Sequence, residues 1–216
     1  QKFEEFLTRY PNSDQINLAH FQLGRIYESS SQFEKALNHY KSINAPEDQE
    51  LSAKAKLAIA DIFSRELDSA TAIQTYENII SSSPDFKRDA YVKIADVYKG
   101  QQEYQKAVGT YQQALAAEQK LSQANDTELQ FLIADAYELA GEEDKAVEEY
   151  LKIPYLYPQE TTWGTKANLR VARIFEDNER WDDARNIYKK IVESNIEESA
   201  FAKERLDWIR ENVEKH

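Results

Sequence analysis

The chain has 216 residues, 39 of them acidic against 27 Lys and Arg, for a formal net charge of -12. That balance excludes nucleic acid as a partner, because phosphate binding needs a basic stripe that replaces condensed counterions, and it disfavours an anionic membrane surface for the same reason. Cys is absent, which removes disulfides, thiolate zinc sites and thiol nucleophiles together, and no window approaches a membrane-spanning length, so no membrane insertion is expected.

Met is absent as well, position 1 included, which reads as a mature or excised portion of a longer protein. The opening "QKFEEFLTRYP" places Phe3, Phe6, Leu7 and Tyr10 on one helical face and closes with Pro11. Residues 1–11 therefore read as a half repeat, the second helix of a pair whose first helix is missing.

Five helix pairs follow, over 12–46, 47–84, 85–120, 126–158 and 161–196. In the first, Leu23, Gly24 and Tyr27 share a helical face and lead to Ala36, Tyr40 and Ile43 on a second helix. The second pair reads Ile59, Ala60, Phe63, then Ala72, Tyr76, Ile79 and a closing Pro84. The third reads Ile94, Ala95, Tyr98, then Ala107, Tyr111, Ala114. Its exit, "AEQKLSQANDTELQ", is the longest joint, with Thr127 and Gln130 expected as a capping box.

The fourth pair is Ile133, Ala134, Tyr137, then Ala146, Tyr150, Ile153 and Pro158; the fifth is Val171, Ala172, Phe175, then Ala184, Tyr188, Ile191. Residues 197–216 follow as a capping helix, with Ala202, Leu206, Ile209 and Val213 in one stripe, and this end is expected to be a true terminus. From Gly24, Ala60, Ala95, Ala134 and Ala172 to Ala36, Ala72, Ala107, Ala146 and Ala184, the gap is 12 residues every time. Small residues let two antiparallel helices approach closely, and the ring one turn later fills the space beside them. Each buried ring is worth roughly 1.5–3 kcal/mol, so the ten aromatic slots are expected to be buried and the copies to stack as one array 1–216.

This frame resembles the tetratricopeptide repeat, a helix-turn-helix unit of about 34 residues with small, aromatic, Ala and Pro positions at set offsets. The resemblance covers nearly the whole chain and implies an all-α fold, a right-handed α-solenoid of antiparallel helix pairs. The family's Trp position holds His20, Lys56, Tyr91, Gln130 and Asn168, and its Gly between helices is met only by Gly141. The family's first helices line a concave groove, and the residue after the small one points into it. Carried over, this implies partner-binding roles for Arg25, Asp61, Asp96, Asp135 and Arg173, with Asp89 and Glu128 deepening an acidic centre and Lys166 and Arg170 adding to the basic ends. The Lys-Asn clamp that some members use for a C-terminal carboxylate is absent. The rhythm "F..FL..YP" also looks like bacterial envelope members, which implies a periplasmic setting, with the cytoplasm as the alternative.

No set of residues reads as catalytic. Only His20, His39 and His216 exist; a metal pair at His20 and His39 is conceivable, yet no HExxH-like spacing supports it, and they read as surface or groove imidazoles. Paired carboxylates are expected by accident among 39 acids. The acids of "GEEDKAVEEY" read as a first-turn and solvated helix face rather than a patch for a basic partner. Trp181 reads as packing, and the run from Tyr155 to Trp163 is expected to be buried against the neighbouring repeat. The expectation is a scaffold without cofactor or metal, holding a protein or peptide, with a basic partner matched to the groove's centre. A spacer or self-assembling arm is the alternative, and an enzyme with groove carboxylates the least favoured reading.

Overall fold

A computed structural model describes every residue except 1, 67, 119–124, 195 and 214–216. His216 and the middle of the long joint therefore lie outside the described residues. Among the described residues there are twelve α-helices and no strands: α1 Lys2–Arg9, α2 Ile16–Ser29, α3 Phe33–Lys41, α4 Gln49–Arg65, α5 Ser69–Ser82, α6 Lys87–Gly100, α7 Tyr104–Ala116, α8 Asp126–Leu139, α9 Glu143–Leu156, α10 Thr161–Asp177, α11 Trp181–Glu193 and α12 Ser199–Asn212. This is the fold class of an α-solenoid built from antiparallel helix pairs. No described helix is long and apolar enough to cross a membrane.

The chain divides into two compact units, Gln1–Gln102 with Ala116–Ala124, and Glu103–Leu115 with Asn125–His216. The division falls inside the third helix pair, so α6 belongs to the first unit and α7 to the second. In the first unit α2 packs on α3 and α4 on α5, while α2 and α6 each also touch α4. In the second, α8 pairs with α9, α10 with α11, and α12 closes on α11.

The repeated frame becomes the core. Ala36, Ala72, Ala107, Ala146 and Ala184 are all fully buried, as are Tyr40, Tyr76, Tyr111, Tyr150 and Tyr188. Gly24 marks a close approach: a Cβ there would lie 2.5 Å from the Tyr40 ring. The first-helix rings differ from expectation, because Tyr27, Phe63, Tyr98 and Tyr137 are only half-buried and Phe175 alone is fully covered. All five stand two residues before the last residue of their helix.

Helix ends explain the spacing of 12. Ser31, Gln102, Gly141 and Glu179 have φ of 55°, 62°, 74° and 56°, and each stands five residues before the Ala of its second helix. The left-handed residue stops the first helix. At Gly141 its N–H bonds Glu138 O at 3.0 Å and the next N–H bonds Tyr137 O at 3.0 Å, the paired 5→2 and 6→1 bonds of a left-handed helix stop. Ser31 and Glu179 repeat both bonds. Three non-glycine side chains thus adopt a conformation that favours glycine.

Two local expectations are corrected. The α8 cap is Asn125, whose side chain accepts from the Glu128 N–H at 2.7 Å; Thr127 is buried two residues later, inside the helix. The run from Tyr155 to Trp163 is not buried as a whole. Trp163 packs on Phe131 with centroids 5.2 Å apart, but Tyr155 is 83% exposed and Leu156 51%, on the side of α9 turned away from the core. Trp181 does pack, against Trp208 at 5.9 Å.

Candidate functional site

Each buried tyrosine carries a hydroxyl that must find a partner, since an unpaired polar group costs free energy inside a core. Tyr150 on α9 donates to Glu138 on α8 at 2.9 Å. The same carboxylate takes Arg170 of α10, Nε at 3.0 Å and the second nitrogen at 2.9 Å, a fork on a fork. Three successive helices are tied through one carboxylate.

The arrangement recurs. Tyr40 donates to Glu28 at 2.9 Å, and Glu28 pairs with Arg65 of α4 at 2.9 Å. Tyr76 donates to Asp61 at 2.6 Å, and Asp61 receives Lys93 of α6 at 3.2 Å. Tyr188 bonds Glu176, which Arg205 of α12 grips at 3.1 Å and 3.0 Å. Burial first, and the adjoining carboxylate second, push the Tyr40, Tyr76 and Tyr150 hydroxyls far above their ordinary range, and Tyr188 up to about 12. These tyrosines are donors, not acids.

Rung residues line a cleft within each unit. In the first unit, Glu50, Lys54, Leu57 and Asp61 of α4 face Phe86, Asp89, Val92 and Lys93 around a cavity of about 370 Å³. In the second, α10 and α12 enclose about 530 Å³, lined by Leu169, Arg173, Tyr188, Phe201 and Arg205 among others.

The residues implied by the repeat frame are distributed accordingly. Asp61 and Asp89 meet in the first cleft, with Asp61 already engaged by Tyr76 and Lys93. Arg25 and Asp96 are exposed on α2 and α6, outside that lining. Glu128 sits half-buried in the first turn of α8. Asp135 lies 3.6 Å from Arg170. Arg173 lines the second cleft, 70% exposed and 3.8 Å from Asp177. Lys166 is held over the Trp163 ring at 4.7 Å.

Sequence reasoning missed Glu28, Glu138 and Glu176, and with them Arg65, Lys93 and Arg205. A signal exists: each of the three glutamates directly follows the first-helix aromatic, as Tyr27-Glu28, Tyr137-Glu138 and Phe175-Glu176. In the second pair Phe63 is followed by Ser64, and Asp61, almost one turn earlier, supplies the carboxylate instead.

Family models described as Tetratricopeptide repeat match residues 92–161 and 19–51. No curated protein matches the chain in sequence. Among solved structures, the C-terminal part of a TPR repeat-containing protein from Cytophaga hutchinsonii is 16% identical, with 88% of this chain and 70% of that chain covered and a TM-score of 0.66. MamA protein is 17% identical over 88% of this chain and 97% of its own, with a TM-score of 0.62. YrrB, a TPR protein described as having an unusual peptide-binding site, is 14% identical over 89% and 92%, with a TM-score of 0.57. At these identities the likeness is one of fold.

Proposed function

The chain belongs to the tetratricopeptide repeat family, and from that premise we propose that it is a non-enzymatic scaffold holding a peptide or protein segment against the face made by its first helices. The family's repeats serve in general as protein–protein interaction modules. The reading for this chain rests on one observation: the α4–α6 cleft combines apolar Leu57, Phe86 and Val92 with Glu50, Asp61 and Asp89 against only Lys54 and Lys93. Its charge excess is negative. A Lys or Arg side chain suits it, laying its methylenes on the apolar wall and its head among the carboxylates. YrrB's peptide-binding site supports the idea that a chain of this fold can hold a peptide. A bacterial periplasmic setting is part of the proposal and rests on the sequence rhythm alone.

The test titrates a labelled basic peptide into the protein and into the variant Asp89→Lys with Asp96→Lys, reading fluorescence anisotropy. Reversal of both charges should weaken binding by about tenfold or more, through lost attraction and added repulsion. Asp61 is left intact because its carboxylate is part of a rung. Equal affinity in the two proteins would remove the groove reading.

A second reading, self-assembly, has its own observation. Phe3 and Leu18 are 40% and 43% exposed around a cleft of about 400 Å³ between α1 and α2, lined also by Phe6 and Ala19. Another helix would cover it. Sedimentation velocity over a wide concentration range decides: a monomer throughout rejects this reading, whereas association that Leu18→Glu abolishes supports it.

A further inference from the structure

Two imidazoles 19 residues apart in sequence meet inside the first helix pair. His20 projects from α2 and His39 from α3, and their Nδ1 atoms stand 3.1 Å apart. The ring centroids are 5.3 Å apart with planes at 42°. Two nitrogens held at about 2.0–2.1 Å by one tetrahedral zinc lie roughly 3.3 Å from each other, and in a square-planar site, where the angle is narrower, roughly 2.9 Å. The observed spacing falls between these two bites. The helices have already brought the donors to chelating distance.

The surroundings suit a cation. Both rings are half-buried, and burial holds both below the ordinary histidine range, with His39 adding to the effect on His20. That direction favours the neutral imidazole, the form a metal requires. Tyr27 stacks on His39 with planes 3° apart and donates its hydroxyl to Glu4 of α1, and the Glu4 carboxylate favours positive charge at His39. Lys35 is drawn over the Tyr27 ring at 5.2 Å. Among the described residues no third His, Cys, Asp or Glu completes a larger set, so water fills the remaining positions.

We propose that His20 and His39 form a two-imidazole site for a first-row transition ion of the zinc, nickel or copper class, which staples α2 to α3. Imidazole selects these ions over magnesium and calcium, which take oxygen donors. Without metal the pair is an Nδ1–H···Nδ1 hydrogen bond; on binding, the donor ring's proton moves to its own Nε2 and both Nδ1 lone pairs face the ion. No proton is released.

The experiment uses protein freed of any affinity tag and adds zinc, nickel or copper chloride singly, with magnesium and calcium chloride as controls. At saturating metal the melting temperature should rise by several degrees for at least one transition ion, because a ligand bound only to the folded state stabilises it, and not for the controls. The rise should vanish in His20→Gln and His39→Gln. Should either variant fail to fold, copper electron paramagnetic resonance of the native protein reports directly, with hyperfine structure from two imidazole nitrogens expected. Absence of any transition-metal shift, survival of the shift in His39→Gln, or a copper spectrum without nitrogen coupling would overturn the proposal.

Discussion

Tyr150 and Glu138 stand 12 residues apart in the chain and 2.9 Å apart between phenol and carboxylate, and Tyr40 and Glu28 repeat both figures. The recurrence makes the rung a repeat property rather than an isolated contact. Tyr150→Phe should cost about 1.5 kcal/mol, the low end of the worth of a hydrogen bond to a charged group, because Glu138 keeps Arg170. Glu138→Ala should cost more, about 2–3 kcal/mol, since it leaves the Tyr150 hydroxyl buried without an acceptor. Arg170→Ala removes a partly exposed cation and should cost about 1 kcal/mol or less. Urea unfolding of the two single variants and the Tyr150→Phe, Glu138→Ala pair measures the coupling; strict additivity would mean the rung contributes nothing as a unit.

Alkaline pH should unfold the protein in a tyrosine-dependent way. In the folded state Tyr188 is pushed up to about 12 by burial first and Glu176 next, while an unfolded tyrosine ionises near its ordinary value of about 10. Between these limits the unfolded chain sheds protons that the folded one keeps, so stability falls as pH rises. The slope is about 1.4 kcal/mol per pH unit for each such tyrosine. Tyr40, Tyr76 and Tyr150 are raised in the same direction. Circular dichroism of denaturant midpoints from pH 9 to pH 12 should show the decline begin near pH 10 and become shallower in Tyr188→Phe.

The left-handed stops make opposite predictions at neighbouring turns. Gly141→Ala meets no atom within 4 Å, so its cost is conformational alone, about 1 kcal/mol at φ 74°. Glu179→Gly relieves the same strain at φ 56° and should stabilise by up to about 1 kcal/mol, less the flexibility that glycine adds to the unfolded chain. Thermal melts of the two variants should move in opposite directions.

Small residues beside rings, at a fixed gap of 12, were legible because burial acts on each copy alike and leaves a periodic trace. The rungs were not, because two offsets serve one geometry: Glu138 follows its aromatic, whereas Asp61 precedes Phe63 by two positions. Asn125 and Thr127 are both residue types that cap helices, and only backbone direction decides between them. Tyr155 looks apolar enough to be buried, yet it falls on the outer side of α9. His20 and His39 come together only once the α2–α3 turn is known. Polar partners chosen across helices leave no period in the sequence.

Each of these four rungs takes its cation from the C-terminal side: Glu28 from Arg65, Asp61 from Lys93, Glu138 from Arg170 and Glu176 from Arg205. The molecule therefore has a grain. Stripping α12 takes Arg205 from Glu176 and leaves that carboxylate uncompensated, whereas stripping α1 takes a cation from none of the four. Peeling should therefore run more readily from the head inward than from the tail, where α12 serves as the latch that holds the last fastening shut.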